Sequence, residues 1–242
     1  MTTLTSTHTL ADLVAEKPSR AKVLERYGLD YCCGGTKSLE AACRELGKDW
    51  SLILSEICAH DRLSPADAHP DGSWPLGRTI QHILDVHHVY LQETLPRLVD
   101  LAARVRDAHA VRHPELQELG ATIRRLKDEL IPHMMKEEQV LFPMARALEA
   151  AGGPLSFHCG SVANPIQVME MEHESTGEVL RKLRALTNSY SVPADACASY
   201  RSLMDRLREL EEDIHRHIFE ENHLLFPKIK AREADLWNQI PH

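Results

Sequence analysis

Aromatic residues are scarce in this chain, with Phe, Trp and Tyr together only 5% of 242 residues, and the alternating Val/Ile runs of half-buried strands are nearly absent. Leu, Ala, Glu and Arg dominate instead, so a sandwich or barrel is set aside in favour of an all-α fold. Basic charge is lacking too. The net charge is −8 and no basic cluster carries interleaved aromatics, which argues against a nucleic-acid surface. No apolar run approaches the ~18 residues of a membrane span, and the start lacks the charged-then-apolar pattern of a secretory leader. A cytoplasmic protein without a membrane role is expected. Six cysteines, two of them adjacent, are not a secreted disulfide framework, and reduced thiols are the expectation.

What is present is an internal repeat. Leu130-Ile-Pro-His-Met-Met-Lys-Glu-Glu-Gln-Val-Leu-Phe-Pro143 returns as Ile214-His-Arg-His-Ile-Phe-Glu-Glu-Asn-His-Leu-Leu-Phe-Pro227. His133 and Glu137 correspond to His217 and Glu221 at a constant offset of 84 (217 − 133, 221 − 137). Steps of three and four from His133 trace Leu119, Ile123, Leu126, Leu130, His133, Glu137, Val140 and Met144, an apolar helical stripe with two polar members. The second copy traces Leu203, Leu207, Leu210, Ile214, His217, Glu221 and Leu224. A carboxylate in such a seam costs several kcal/mol or so unless neutralised, and two in matching places, each one turn from a His, imply a shared buried cation.

Residues 1–59 read as a small helical domain, 60–75 as a turn-rich linker, and 76–242 as a bundle. In the small domain Pro18 opens a helix ending at Gly28; a Cys32-Cys33-Gly-Gly loop, a helix from Ser38 to Leu46 and one capped by Asp49 follow. The loop sets Cys32 and Cys33 ahead of a helix N-terminus, whose dipole favours thiolate; the plainer alternative is one cysteine filling an apolar pocket. The bundle reads as two hairpins, 76–101 with 115–149 and 165–186 with 199–230. On its first helix, His87 and His88 both border apolar residues. His88 has Leu84, Leu91, Leu95 and Leu98 at −4, +3, +7 and +10, the offsets at which Met169, Thr176, Leu180 and Leu183 stand from His173, so His88 is preferred and His87 is the runner-up.

His88, His133, Glu137, His173, His217 and Glu221 then face one interior. Four imidazoles and two carboxylates suit two metal ions of intermediate hardness, each taking two histidines with the glutamates bridging. A closed structural zinc usually uses thiolate, and no cysteine lies on these seams. The ferritin-like pattern is Glu-x-x-His, whereas here it is His-x-x-x-Glu. Iron is favoured, and manganese stays open. Pro132 predicts a kink before His133, Gly177 a close approach by a neighbouring helix or a gas path, and the Leu-Phe-Pro ends a bend or close of their helices.

Tyr27-Gly-Leu-Asp-Tyr-Cys-Cys-Gly-Gly35, His133-Met-Met-Lys-Glu-Glu-Gln-Val-Leu-Phe-Pro143, Glu172-His173-Glu174 and His217-Ile-Phe-Glu-Glu-Asn222 together resemble the iron-sulfur cluster repair di-iron proteins. That family joins a small N-terminal Cys-Cys domain to a hemerythrin-like four-helix bundle. The resemblance spans nearly the whole chain and places the family's ligands on the six residues above, with Leu95-Pro96 following His88 as in the family. It implies two non-haem irons bridged by glutamate and by oxide or hydroxide, nitric oxide or oxygen as small ligands, damaged iron-sulfur proteins as clients, and a monomer or homodimer. Iron donation and nitric oxide removal, including reduction to nitrous oxide, are both compatible with it. A sink or sensor of nitric oxide that takes no direct part in repair is the alternative. Cys32, Cys33, Glu129 and Glu172 are further candidates, the cysteines for redox or nitric oxide transfer and the two glutamates because they resemble acidic residues near the family's metal; solvated surface acids are the plainer reading of the last two.

Overall fold

The computed structural model describes residues 4–63 and 72–238. Helices account for the regular structure of these residues, with only isolated bridges, Thr9 to Ser38 and Phe157 to Gly160, beside them. No helix among the described residues is long and apolar enough to cross a membrane.

The N-terminal unit holds α1 (Leu10–Glu16), a 3-10 turn (Pro18–Arg20), α2 (Ala21–Arg26), α3 (Leu39–Glu45) and α4 (Trp50–Leu63). Helix α1 is an addition to the sequence expectation, although its start is encoded locally: the Thr9 hydroxyl accepts from the Asp12 amide while the Asp12 carboxylate takes the Thr9 amide, a capping box. Gly28 follows the end of α2 at φ 66°, where a side chain would be strained. Ser38 caps α3 and the Asp49 carboxylate accepts from the Ser51 amide at the start of α4. The predicted linker overlaps the end of α4, and its residues 64–71 lie outside the described residues.

Four rods form the bundle. The first comprises α5 (Leu76–His82), a π turn (Ile83–His88) and α6 (Val89–His109); the second α7 (Glu115–Lys136), a π turn (Glu137–Leu141) and α8 (Phe142–Ala150). The third is α9 (Ala163–Leu186), and the fourth runs through α10 (Ala198–Phe219), a π turn (Glu220–Leu225) and α11 (Phe226–Asn238). Helix α6 packs on α7 and α10, and α7 on α9. Helix α7 continues as helix through Pro132, and the rods do not stop at Leu-Phe-Pro. The departure from α geometry lies between these points. The Phe142 amide reaches back to the Glu137 carbonyl and the Phe226 amide to that of Glu221, five residues rather than four, so the register slips one residue just before Pro143 and Pro227, which lack a donor. The slip corrects the predicted stripe: Val140 is 37% exposed and Leu141, its neighbour, 1%.

The core has two apolar parts. One joins the N-terminal unit to one end of the bundle through residues such as Leu13, Leu24, Ile53, Leu91, Leu130, Leu180 and Ile214. The other fills the opposite end with Ile80, Ile83, Leu141, Phe142, Met169 and Phe226. Along every rod a polar layer separates them.

A half-buried carboxyl marks the seam between the small unit and α10. Glu25 accepts from the Tyr31 hydroxyl at 2.8 Å and stands 3.9 Å from His215; burial, above the relief from Tyr31, pushes it up to about 7. Its folded pKa is thus above its unfolded one, so the native state binds the extra proton between about 4.5 and 7, and stability falls as pH rises through that window. Glu25→Gln keeps the acceptor for Tyr31 and removes the charge. Urea titrations should show the variant more stable than the parent by about 2–3 kcal/mol at pH 8 and equal to it at pH 4; a pH-independent difference would contradict this role.

Candidate metal centre

The polar layer contains the six residues that the repeat aligned, each at most 2% exposed. They assemble into two overlapping groups, His88, Glu137, His217 and Glu221, and His133, Glu137, His173 and Glu221, with ligand atoms in each within 4.8 Å of one another. Both carboxylates belong to both groups. Glu137 Oε2 stands 3.4 Å from the Nε2 atoms of His88 and His133; Glu221 stands 3.1 Å from those of His173 and His217 through its two oxygens. The Nε2 atoms of His133 and His173 are 3.1 Å apart.

Outer hydrogen bonds orient three of the four imidazoles. His88 Nδ1 donates to Glu138 at 2.8 Å, His133 Nδ1 to Glu172 at 2.9 Å, and His173 Nδ1 to the Asn222 side-chain carbonyl at 2.8 Å. A ring that donates through Nδ1 presents an Nε2 lone pair inward, the state in which histidine ligates a metal. Lys136 backs Glu172 with an ion pair, and the His133 contact, ahead of that pair, holds the Glu172 carboxyl at about 2. Burial opposes charge on His133, but Glu137 and Glu172 outweigh it and raise that imidazole to about 10.

Whether these residues suit a cation follows from atoms left without partners. Both oxygens of Glu137, Glu221 Oε2 and His88 Nε2 are buried with no hydrogen-bond partner. Fully buried carboxylate oxygens are costly when unpaired, and all of these atoms belong to members of the two groups. The donor set, nitrogen-rich with two carboxylates, fits divalent cations of the first transition row.

The other sequence candidates fall in different places. Glu172 acts on His133 directly. Glu129 pairs with Arg125 at 2.7 Å and belongs to neither group. His87 is buried like His88, because the π turn brings both inward, but its Nδ1 meets Asp213 at 2.9 Å. Cys32 and Cys33 sit over the bundle: the Cys33 thiol donates to the His173 carbonyl at 3.6 Å, and the Cys32 carbonyl accepts from His223 at 2.8 Å and from the Asn222 amide at 3.3 Å. A β-carbon on Gly177 would lie 3.7 Å from the Cys33 sulfur, so the neighbour that approaches there is this loop. One on Gly35 would strike His223 at 2.6 Å, so only glycine lets the loop close. The dipole argument for a Cys32 thiolate does not hold. Helix α3 begins only at Leu39, and the contact with Cys33, burial and the nearby Asp30 push the Cys32 thiol well above its ordinary range.

Glu138 and Asn222 escape the sequence reading, yet the signal is there. They follow Glu137 and Glu221 directly and obey the same offset of 84 (222 − 138).

Two family models match this chain: the hemerythrin HHE cation binding domain over residues 79–229, and ScdA_N, described as a domain of unknown function, over 6–61. The iron-sulfur cluster repair protein YtfE of Enterobacter sp. (strain 638) is 35% identical over 93% of this chain and 97% of its own length. YtfE of Escherichia coli O81 is 34% identical over 93% and 97%. A probable iron-sulfur cluster repair protein of Haemophilus influenzae is 34% identical over 91% and 95%. With a cation-binding arrangement at the centre of its helices and such relatives over nearly its whole length, this chain belongs to the hemerythrin HHE cation-binding family and, within it, to the iron-sulfur cluster repair proteins.

Proposed function

We propose that the protein is a non-haem di-iron protein that restores iron-sulfur clusters damaged by nitrosative or oxidative stress, organised as a small domain (1–59), a linker (60–75) and the iron-binding bundle (76–242). The observation that carries the reading is that Glu137 and Glu221 each belong to both two-histidine groups, as two bridging carboxylates must. One ion would take His88 and His217, the other His133 and His173, with Glu137 and Glu221 common to both. Bound iron would supply an exchangeable metal and a redox-active place for a small ligand such as nitric oxide or oxygen.

The chain's own residues do the rest. Glu138, Glu172 and Asn222 keep the Nδ1 protons of His88, His133 and His173 occupied and their Nε2 atoms available. The apolar layers above and below keep bulk water from the carboxylates. Carboxylate and imidazole hold iron less tenaciously than thiolates would, which suits donation to an apo-cluster. The cysteine loop, hydrogen-bonded to Asn222 and to the His173 backbone, forms a cover, with Cys32 and Cys33 lining a cleft of about 630 Å³.

A second reading, nitric oxide removal or reduction without repair, uses the same residues. Anaerobic mixing of the reduced, iron-loaded protein with nitric oxide separates the two. Iron released in amounts that rebuild an apo-ferredoxin supports donation; nitrous oxide formed with iron retained supports removal. Neither product, with the iron centre unchanged, would contradict both readings.

A further inference from the structure

The repeat breaks down at three positions beside the central groups. Residues 129 and 136 correspond to 213 and 220 at the offset of 84 (213 − 129, 220 − 136), and 172 corresponds to 87 at the offset of 85 that relates His173 to His88 (172 − 87, 173 − 88). Beside His133 these places hold Glu129, paired with Arg125, and a Lys136–Glu172 ion pair whose side chains are 44% and 35% exposed. Their counterparts beside His217 are Asp213, Glu220 and His87, at 7%, 3% and 2% exposure. The lysine has become a glutamate, and a pair near the surface has become a buried set with two carboxylates.

The surroundings of that set are imidazoles. His87 Nδ1 donates to Asp213 at 2.9 Å, and Glu220 Oε1 stands 3.5 Å from His82 Nε2 and 3.7 Å from His87 Nε2. Ligand atoms of His82, His87 and Glu220 all lie within 4.8 Å of one another. His87 Nε2 and Glu220 Oε2, both deeply buried, have no hydrogen-bond partner. Donors 2.0–2.2 Å from a tetrahedral ion stand roughly 3.3–3.6 Å apart, close to the spacing seen.

We propose that His82, His87 and Glu220 form a separate cation site beside the central centre, for a single divalent ion of the first transition row. Two histidines and one carboxylate leave coordination positions open, the donor set of mononuclear non-haem iron sites. Asp213 accepts a hydrogen bond from His87 Nδ1, which keeps the proton there and turns the Nε2 lone pair toward the ion. The charges of Asp213 and Glu220 sum to −2 and match a divalent cation, with both imidazoles neutral. The His217 ring forms one wall, stacked on His87 at 5.3 Å and 10°, and so separates this ion from the central pair. His82, 16% exposed and edge-on to Trp74 at 5.5 Å, faces the entry side.

The full chain, stripped of metal and titrated anaerobically with Fe(II), tests this by bound equivalents. Three per chain are expected, falling to two in Glu220→Gln and in His87→Phe with the far-ultraviolet spectrum unchanged. Two in the parent, or three retained in Glu220→Gln, would overturn the proposal and leave the central reading standing. One in the parent, lost in Glu220→Gln, would uphold this site while the central reading failed. Because a buried variant can fail to fold, parent crystals soaked in Mn(II) give a second measurement. Anomalous density among His82, His87 and Glu220 is expected, and density confined to the central groups would overturn the site.

Discussion

Replacing Glu137 and Glu221 together by Leu should abolish iron binding at the central groups while making the metal-free chain harder to unfold. Both glutamates are wholly buried, and both lie in the two histidine groups, so their loss removes every carboxylate from those two groups. Four imidazoles then remain to meet cations with no compensating charge, and metal content should drop by about two ions per chain. The stability half of the expectation has a separate origin. Without metal, both oxygens of Glu137 and Oε2 of Glu221 are buried with no hydrogen-bond partner and the two carboxylates repel one another; removing them relieves that cost, and the four imidazoles, no longer beside anions, shed their protons. Thermal melts of the chelator-treated chains check the second effect, elemental analysis the first. Undiminished iron would remove the central reading, and a large loss of apo stability would mean that the carboxylates serve as structural ion pairs.

Asn222→Leu should weaken iron binding by roughly 10–100-fold, the usual consequence of removing the outer partner of a metal-ligating histidine. Asn222 has two tasks that one conservative change can separate. Its carbonyl accepts from His173 Nδ1 and its amide donates to the Cys32 carbonyl. Asn222→Asp retains the acceptor and loses the donor. It should therefore bind iron nearly as the parent does while the cysteine loop exchanges its amide hydrogens faster. If Asp and Leu variants lose iron equally, the His173 bond is not what matters; if loop exchange is unchanged in both, Asn222 does not hold the cover, and His223 does.

Much of the bundle is legible in the sequence because burial in a helix repeats every three to four residues, a property carried along one segment. The stripe through Leu126, Leu130, His133 and Glu137 needs no knowledge of a partner helix, and an offset of 84 distinguishes paired polar residues from accidents. Legibility ends where the helix stops being regular. The stripe puts Val140 inward and Leu141 is there instead, since nothing in the local spelling announces a five-residue hydrogen bond at Phe142. Periodicity leaves His87 and His88 as alternatives for the same reason: a π turn over Ile83–His88 lets both turn inward, toward different carboxylates. Glu172 can be singled out beside His173, but its bond is to His133 on another rod.

By itself, then, the sequence determined a helical chain, a duplicated seam and six inward residues, because helical periodicity and repetition are properties of one strand of text. Only the tertiary structure decided which oxygen meets which imidazole, that Cys32 is buried against the bundle with its thiol disfavoured as an anion, and that His82, His87, Asp213 and Glu220 gather in one place. These depend on contacts between residues as many as 191 positions apart, such as Cys32 with His223, and distances across helices are set by packing, which no single segment encodes.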